Sequence, residues 1–202
     1  MTFDELLAEV YILTNRPDLT AETSSAIRAA TLKAHSSDFF SRDLYEVDLA
    51  FEFLEYKQCI DIYSLFCNYR ALKYLKRYTV IPDGAAGAEN GCFLEIVTPE
   101  EILDSYHRNR SDIAYVAGRM LEIRAGVNFQ HAIMGAYMYP VVTPVSDYSS
   151  WVAQLQPWAI INEAARVIFK MIGYDEQSAQ YNTLVAEEYQ LLKMTGLADV
   201  GY

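Results

Sequence analysis

The chain has 202 residues, 52% of them apolar, which is enough to bury one substantial core and predicts a single domain. Its formal net charge of −11 would repel nucleic acid over most of the surface, which argues against a sequence-specific nucleic-acid binder. No run approaches the roughly 18 apolar residues that a membrane span needs, so we expect no membrane partner. The first ten residues lack a basic region followed by an apolar run, so we expect no signal peptide.

Two short helices are predicted at the start of the chain. Thr2 and Glu5 have the spacing of a capping box, and apolar residues follow at helical spacing. Pro17 indicates a turn after this first helix. A second helix is predicted to start with Thr20 as its N-cap and to end near His35. The two helices should form a hairpin.

The sequence period then changes to that of a β-sheet. Apolar and polar residues alternate over 45–53, which predicts a strand with one buried face, formed by Tyr45, Val47, Leu49, Phe51 and Phe53. Further strands are predicted at 59–63, 70–78, 113–117, 120–123 and 130–139, and a short helix at 99 to about 106. The middle of the chain should be a mostly antiparallel sheet with a short inserted helix.

The last third of the chain returns to helical spacing. Pro157 opens a helix with two apolar stripes, whose outward-facing residues are predicted to be Asn162, Glu163, Arg166 and Lys170. A final helix should run from about 175 to 194. The fold class is therefore predicted to be α+β. An N-terminal helical hairpin and two C-terminal helices that pack with it form the helical part (1–37 and 157–194), and the β part covers about 43–140, all in one domain over 1–202.

No grouping of reactive residues indicates catalysis. The three histidines, His35, His107 and His131, lack the spacing of a metal site, and the acidic pairs are adjacent in sequence, so their side chains diverge on a helix. We therefore predict no catalytic, cofactor or metal site and no enzymatic activity. The cysteines lack a C-x-x-C pair and are expected to be free, buried thiols: Cys59, Cys67 and Cys92.

One basic cluster alternates with aromatic residues. Lys73, Lys76 and Arg77 are interleaved with Tyr74 and Tyr78, a pattern that is compatible with a DNA-facing surface or with a salt-bridge patch between subunits. The acidic balance of the rest of the chain favours the inter-subunit interpretation. Aromatic residues make up 13% of the chain, which indicates assembly because tyrosine and tryptophan are favoured in interfaces.

Three stretches carry a resemblance to a known family. They are TNRPDLTAETSSAIRAATLKAHSSDFF at 14–40, DIAYVAGRMLEIRAG at 112–126 and PWAIINEAARVIFKMIGYDEQSAQYNTLVAEEYQLL at 157–192. With the predicted order of helices, sheet and helices, they resemble the head–tail adaptor (connector) proteins of tailed bacteriophages, which include the tail tubular protein A of short-tailed phages. The third stretch has the family's Pro-led, alanine-rich helix with a glycine stop, followed by a long acidic helix.

This resemblance implies a structural role in the neck of the virion, for a protein made in the cytoplasm of the bacterial host. The subunits would form a homo-oligomeric ring, usually of twelve copies, below the portal protein. The helical part and C-terminal tail would grip the portal, and sheet loops would face the next tail or nozzle protein. DNA would pass through the channel during ejection without sequence-specific binding, which suits an acidic protein. The candidate residues for partner contacts are Trp151, Trp158, Leu197, Val200 and Tyr202.

Three other functions remain open from the sequence. A different phage neck or tail protein, such as a tail terminator, would differ in ring symmetry and would not touch the portal. A small enzyme, such as a hydrolase, would need a clustered site. A host-derived interaction module is the third alternative.

Overall fold

A computed structural model describes residues 1–78, 91–103 and 111–199, with backbone only for 102–103 and 197–199. Its elements in chain order are α1 (Phe3–Thr14), α2 (Thr20–Ser36), β1 (Leu44–Asp61), α3 (Ile62–Leu65), β2 (Tyr69–Tyr78), β3 (Gly91–Phe93), β4 (Glu95–Ile96), α4 (Pro99–Leu103), β5 (Ile113–Ala117), β6 (Met120–Met138), α5 (Trp151–Leu155), α6 (Pro157–Met171) and α7 (Asp175–Asp199). Short 3₁₀ turns lie at Ser41–Asp43 and Val145–Asp147. This order of helices, sheet and helices confirms the predicted α+β class.

The chain divides into two compact units. Met1–Asp43 and the chain from Tyr139 onward form one, which we call the helical unit, and Leu44–Met138 forms the other, the sheet unit. The single domain over 1–202 stays a prediction. Among the described residues, no helix combines the length and apolar character required to cross a membrane.

The start of the helical unit follows from local capping. The Glu5 amide donates to the Thr2 hydroxyl (3.3 Å) and the Thr2 amide donates to the Glu5 carboxylate (2.7 Å), so the predicted capping box is confirmed. Asn15 ends α1 in the left-handed conformation (φ 52°). Thr20 was predicted to be the N-cap of α2, which is wrong: Leu19 occupies that position and makes no side-chain cap, and Thr20 is the first helical residue.

The core of the helical unit forms around α6, which packs against α1, α2 and α7. The C-terminal helices therefore pack with the N-terminal ones, as predicted. Alanines on the buried side of α2 let the neighbouring backbone approach closely. The large side chains that are fully buried in this core are Leu6, Ile27, Ile160, Ile161 and Ile168, and Leu192 of α7 completes it.

The sheet unit is organised by its longest strand, β6. Residues 131–137 of β6 pair with both β1 and β2, and residues 120–124 pair with both β1 and β5. Because a strand has only two hydrogen-bonding edges, β1 lies along one edge of β6, and β2 and β5 lie end to end along the other. No described strand pairs with the outer edge of β1, which is therefore an edge strand of 18 residues.

Two predicted strand breaks are wrong. The strands predicted at 45–53 and 59–63 are one strand, β1, which ends where α3 begins. Residues 126–128 do not divide β6, since the backbone continues through them and the Gly126 amide donates to Asp112 (3.2 Å). In both places the sequence pattern changes because the hydrogen-bonded ladder between β1 and β6 is irregular there, and not because the chain turns.

The sheet core lies on one face of β6. Its fully buried large side chains are Ile62, Leu75, Leu121, Ile123, Phe129 and Met134. Leu49 of β1 is buried there as predicted, but Tyr45 and Phe53 are 60% and 63% exposed, so their predicted burial is wrong. The ladder between β1 and β6 shifts register between Ala50 and Lys57, which takes Phe53 off the core face. Helix α4 spans Pro99–Leu103, and the rest of the predicted helix lies outside the described residues.

Candidate functional site

One face of the sheet unit carries charged and aromatic side chains from four strands. Asp48 on β1 pairs with Ile133 on β6, Ile133 pairs with Lys76 on β2, and Lys76 pairs with Phe93 on β3. Residues directly opposite each other in neighbouring strands point to the same face, so these four side chains share one face, which we call the open face. Along this row an acidic residue lies on the β1 side and a lysine on the β2 side.

Tyr74 spans the open face from β2 to β1. Its ring lies over Gly135 of β6, where a Cβ atom would overlap the ring. Its hydroxyl donates a hydrogen bond to Glu46 on β1, and Phe93 packs edge-on against the ring at 6.1 Å. The glycine at 135 therefore provides the space that Tyr74 needs.

The structure does not bring the predicted basic cluster together on one surface. Lys73 is exposed and lies over the Tyr137 ring (5.6 Å), and Lys76 lies over the Tyr78 ring (5.0 Å) on the open face. Arg77 is only 8% exposed, pairs with the buried Ala132 on the core side, and forms an ion pair with Asp112 (2.9 Å). Two lysines, rather than three cations, are therefore accessible, and their use in subunit contacts or toward DNA stays a prediction.

Other cations of the sheet unit have acidic partners. Lys57 and Arg124 both contact Glu122, at 3.2 and 2.6 Å, and Arg119 contacts Asp61 at 2.7 Å. Burial by itself would raise the pKa of Glu122, but hydrogen bonds from Tyr115, Arg124 and Lys57 outweigh it and lower the pKa. Lys73 and Lys76 differ from these residues because neither forms an ion pair with a described residue.

The middle of β1 projects apolar and acidic side chains outward. We call residues 52–56 the β1 bulge, because the β1–β6 register shifts there. Phe53, Leu54 and Tyr56 are 63%, 53% and 63% exposed, and the glutamates at 52 and 55 are exposed as well. The Gln58 side chain donates to the Phe53 carbonyl (2.8 Å), so the backbone of the bulge is held in place.

The two predicted tryptophan contacts have different environments. The Trp151 indole N–H donates to Asp43 (2.7 Å), and its ring packs edge-on against Phe40 (5.2 Å). Much of this side chain therefore contacts residues within the helical unit rather than a partner. Trp158 is 45% exposed at the start of α6. The backbone of residue 197 belongs to α7, but its side chain, like all of 200–202, lies outside the described part of the chain, so the contact predictions at Leu197, Val200 and Tyr202 stay untested.

A buried polar network was missed at the sequence level. His35 Nδ1 lies 2.7 Å from an Asp43 carboxylate oxygen, and His35 Nε2 lies 2.9 Å from Ser150 Oγ. All three residues are at most 7% exposed. Trp151 donates to the same Asp43 oxygen, and Ser150 Oγ accepts from the Ala153 amide (3.2 Å) as the N-cap of α5. The residues joined by histidine are 8 and 115 positions away along the chain, so no local motif could have revealed them.

The connectivity of this network is that of a Ser–His–Asp triad. In such triads the histidine accepts the serine proton and the carboxylate orients the imidazole. A cavity of about 370 Å³ lies beside Ser150 and is lined also by residues 1–4, Tyr148 and Gln154. However, Ser150 is 4% exposed, and its oxygen is already used to cap α5. The geometry therefore supports a structural network that fastens α2, the 3₁₀ turn before β1 and α5 together.

A second buried charge lies on α6. Glu163 was predicted to face outward, which is wrong: it is 3% exposed, and Asn162 is also buried. Arg166 donates two hydrogen bonds to the Glu163 carboxylate (2.8 and 2.9 Å), and Lys33 of α2 donates a third (2.7 Å). Burial by itself would raise the pKa of Glu163, but these hydrogen bonds outweigh it and lower the pKa. This ion pair joins α6 to α2.

The cysteines and the potential metal ligands form neither a disulfide nor a metal site among the described residues. Cys59 and Cys67 are exposed and Cys92 is half-buried, so the predicted burial of the thiols is wrong; all three are free. Within the described ranges, no group of three histidine, cysteine, aspartate or glutamate side chains is placed to hold a metal ion. His107 lies outside those ranges.

Two sequence comparisons with known proteins were negative. No protein-family model matches the chain. A search of curated protein sequences also finds no match.

Proposed function

We propose that this protein is a structural head–tail adaptor of a tailed bacteriophage. Copies would form a ring below the portal protein, offer a docking surface to the next tail or nozzle protein, and extend the channel through which DNA leaves the head. The protein would lie in the virion neck and would act mechanically rather than catalytically.

One observation carries the proposal. The two ends of the chain form one helical unit, and the middle forms a second, mostly antiparallel sheet unit with exposed aromatic side chains. An adaptor must bind proteins on both of its sides as well as its own copies, so it needs several partner surfaces on one chain. Two compact units, each with exposed large apolar residues, support such a role.

The helical unit offers a surface suited to the portal. Gln156 donates to the Thr195 hydroxyl (2.8 Å), which holds the start of α6 beside the last turns of α7. Leu155, Trp158 and Met194 are 50%, 45% and 66% exposed around this bond. Exposed apolar residues so close to the C-terminal tail support portal contact by the tail and Trp158 together.

Two variants test this contact. Trp158→Ala and a chain ending at residue 196 should each reduce retention on purified tailless heads by about tenfold or more, because interface tryptophans carry a large share of binding energy. The truncation keeps Gly196 because this residue packs closely against the buried Phe40 ring. A Cβ atom at position 196 would lie only 2.7 Å from the ring. Ile12→Ala removes another exposed apolar side chain, 72% exposed on α1, and should have no effect. Full retention of both test variants would contradict the proposed contact.

The connectivity of the Ser150–His35–Asp43 network matches that of a catalytic triad, so acyl transfer by a serine nucleophile is a second candidate function. A fluorophosphonate probe reacts with activated serines and discriminates the two functions. The adaptor proposal expects no labelling of the wild-type protein. Labelling that disappears in Ser150→Ala but persists in Ser149→Ala, where the neighbouring serine is removed, would favour the enzyme instead.

A further inference from the structure

We infer that the β1 bulge of one copy docks on the Lys73–Lys76 side of the sheet unit of a second copy. This contact rests on the proposed function for its setting in a ring of copies. The two surfaces would join neighbouring subunits, and both lie within the sheet unit.

The β1 bulge has the composition of an interface. Phe53, Leu54 and Tyr56 are all more than half exposed within five consecutive residues of β1, whose outer edge pairs with no described strand. Gln58 and Gln130 donate to the carbonyls of Phe53 and Glu52 (2.8 and 3.2 Å), so the exposed side chains project from a fixed backbone. A fixed backbone reduces the entropy that binding would cost. Apolar side chains presented in this way indicate a partner surface.

The Lys73–Lys76 side is the complementary surface. Lys76 lies over the rings of Tyr78 (5.0 Å) and Phe93 (5.5 Å), and Phe93 is 64% exposed. Lys73 is exposed on the same strand. This surface therefore combines an accessible aromatic ring with two cations that have no acidic partner among the described residues. An apolar, acidic partner would satisfy both properties.

The charges of the two surfaces are opposite. The bulge carries exposed Glu52 and Glu55 beside its apolar residues, and the other surface carries Lys73 and Lys76 beside Phe93. Opposite charge at the rim of an apolar contact fixes orientation and suppresses wrong partners. Every copy of this chain carries both surfaces, so a second copy can supply the partner for either surface of the first.

The position of the two surfaces determines the kind of assembly. The bulge lies on β1 at one edge of β6, and Lys73 and Lys76 lie on β2 at the opposite edge. A contact between different surfaces of identical subunits is heterologous, and its repetition produces a closed ring or a filament rather than a two-fold dimer. The bulge itself argues against simple strand addition, because an irregular, charged edge discourages backbone pairing. The contact is therefore made by side chains.

Charge reversal tests the inference without any other protein. One variant carries Glu52→Lys with Glu55→Lys, and the second carries Lys73→Glu with Lys76→Glu. At about 100 µM, where weak interfaces are populated, the wild-type protein should self-associate in sedimentation velocity, and each variant should associate about tenfold or more weakly. A mixture of the two variants should regain association, since each heterologous contact between them again joins opposite charges.

The control reverses two exposed glutamates of the helical unit, Glu22→Lys with Glu187→Lys, and should associate like the wild type. Circular dichroism checks that all variants fold. A wild-type protein that stays monomeric at this concentration would overturn the inference, as would a mixture of variants that fails to regain association. Binding of mixed-sequence DNA through Lys73 and Lys76 in place of self-association would also overturn it. Self-association through these surfaces by a protein that does not bind portals would refute the adaptor function and leave this inference standing.

Discussion

Replacing His35 by alanine should lower the free energy of unfolding by about 3–4 kcal/mol, because it leaves two buried polar partners without their hydrogen bonds and creates a cavity. His35 is 1% exposed and contacts both Asp43 and Ser150. Its ring also packs edge-on against Trp151 at 5.4 Å. The loss therefore combines hydrogen bonding with packing at the centre of the helical unit.

Urea denaturation followed by circular dichroism measures this effect. Trp151→Phe keeps a ring but removes the N–H donor to Asp43, so it should cost about 1 kcal/mol, the usual value of one hydrogen bond. His131→Ala is the matched control, since the side chain of His131 is 45% exposed in the sheet unit. A His35→Ala protein as stable as this control would show that the network does not stabilise the helical unit.

Replacing Glu163 by alanine should lower the free energy of unfolding by about 2–3 kcal/mol at neutral pH, because it removes a buried carboxylate held by two cations. The side chain of Glu163 is 4% exposed, and those of Arg166 and Lys33 are 21% and 51% exposed. The two cations keep part of their hydration after the substitution, so the loss is smaller than for a fully buried pair.

The effect of Glu163→Ala should depend on pH. The pKa of Glu163 is lowered in the folded protein, so the native state favours the ionised form relative to the unfolded chain. This contribution is fully present above the ordinary pKa of 4.5 and is lost as the pH falls through the lowered value. The difference in unfolding free energy between wild type and variant should therefore shrink as the pH falls below about 4.

Glu187→Ala on the exposed side of α7 is the control for these measurements, and it should differ little from wild type at any pH. A Glu163→Ala effect that stays constant from neutral to acid pH would mean that packing, and not the ion pair, is responsible. Equal stability of Glu163→Ala and Glu187→Ala at neutral pH would remove the ion pair from the forces that join α6 to α2.

Local sequence patterns predicted most helices because their determinants are local. Thr2 and Glu5, which cap α1, are only three residues apart in the sequence. Pro157 begins α6 at a position where a backbone N–H has no partner within the helix, so the missing N–H of proline costs no hydrogen bond. The strand predictions were less accurate than the helix predictions. The alternation over 45–53 suggested one buried face, but its continuation past Ala50 depends on the register with β6, which is a long-range property.

The candidate surfaces were predicted less well than the fold. Lys73 and Lys76 were identified from their alternation with tyrosines, but Arg77 belongs to the core side, since the strand alternates between faces. Glu163 was assigned to solvent because it is charged, whereas its burial depends on Lys33, 130 residues away. The Ser150–His35–Asp43 network likewise requires the tertiary fold.

The net negative charge of the chain is compatible with the proposed passage of DNA. A net charge of −11 would prevent phosphates from adhering to a channel, and the described cations of the sheet unit are largely neutralised by acidic partners such as Glu122 and Asp61. Lys73 and Lys76 are then better suited to acidic residues of a neighbouring copy than to DNA in transit.

Electron microscopy of the protein mixed with the portal protein encoded in the same genome tests the adaptor function most directly. The adaptor proposal predicts an added ring below the portal, coaxial with its channel, with the helical unit against the portal and a copy number that can be counted from class averages. Portal particles that remain without an added ring, or a ring that binds only tail tubes, as a tail terminator would, contradict it.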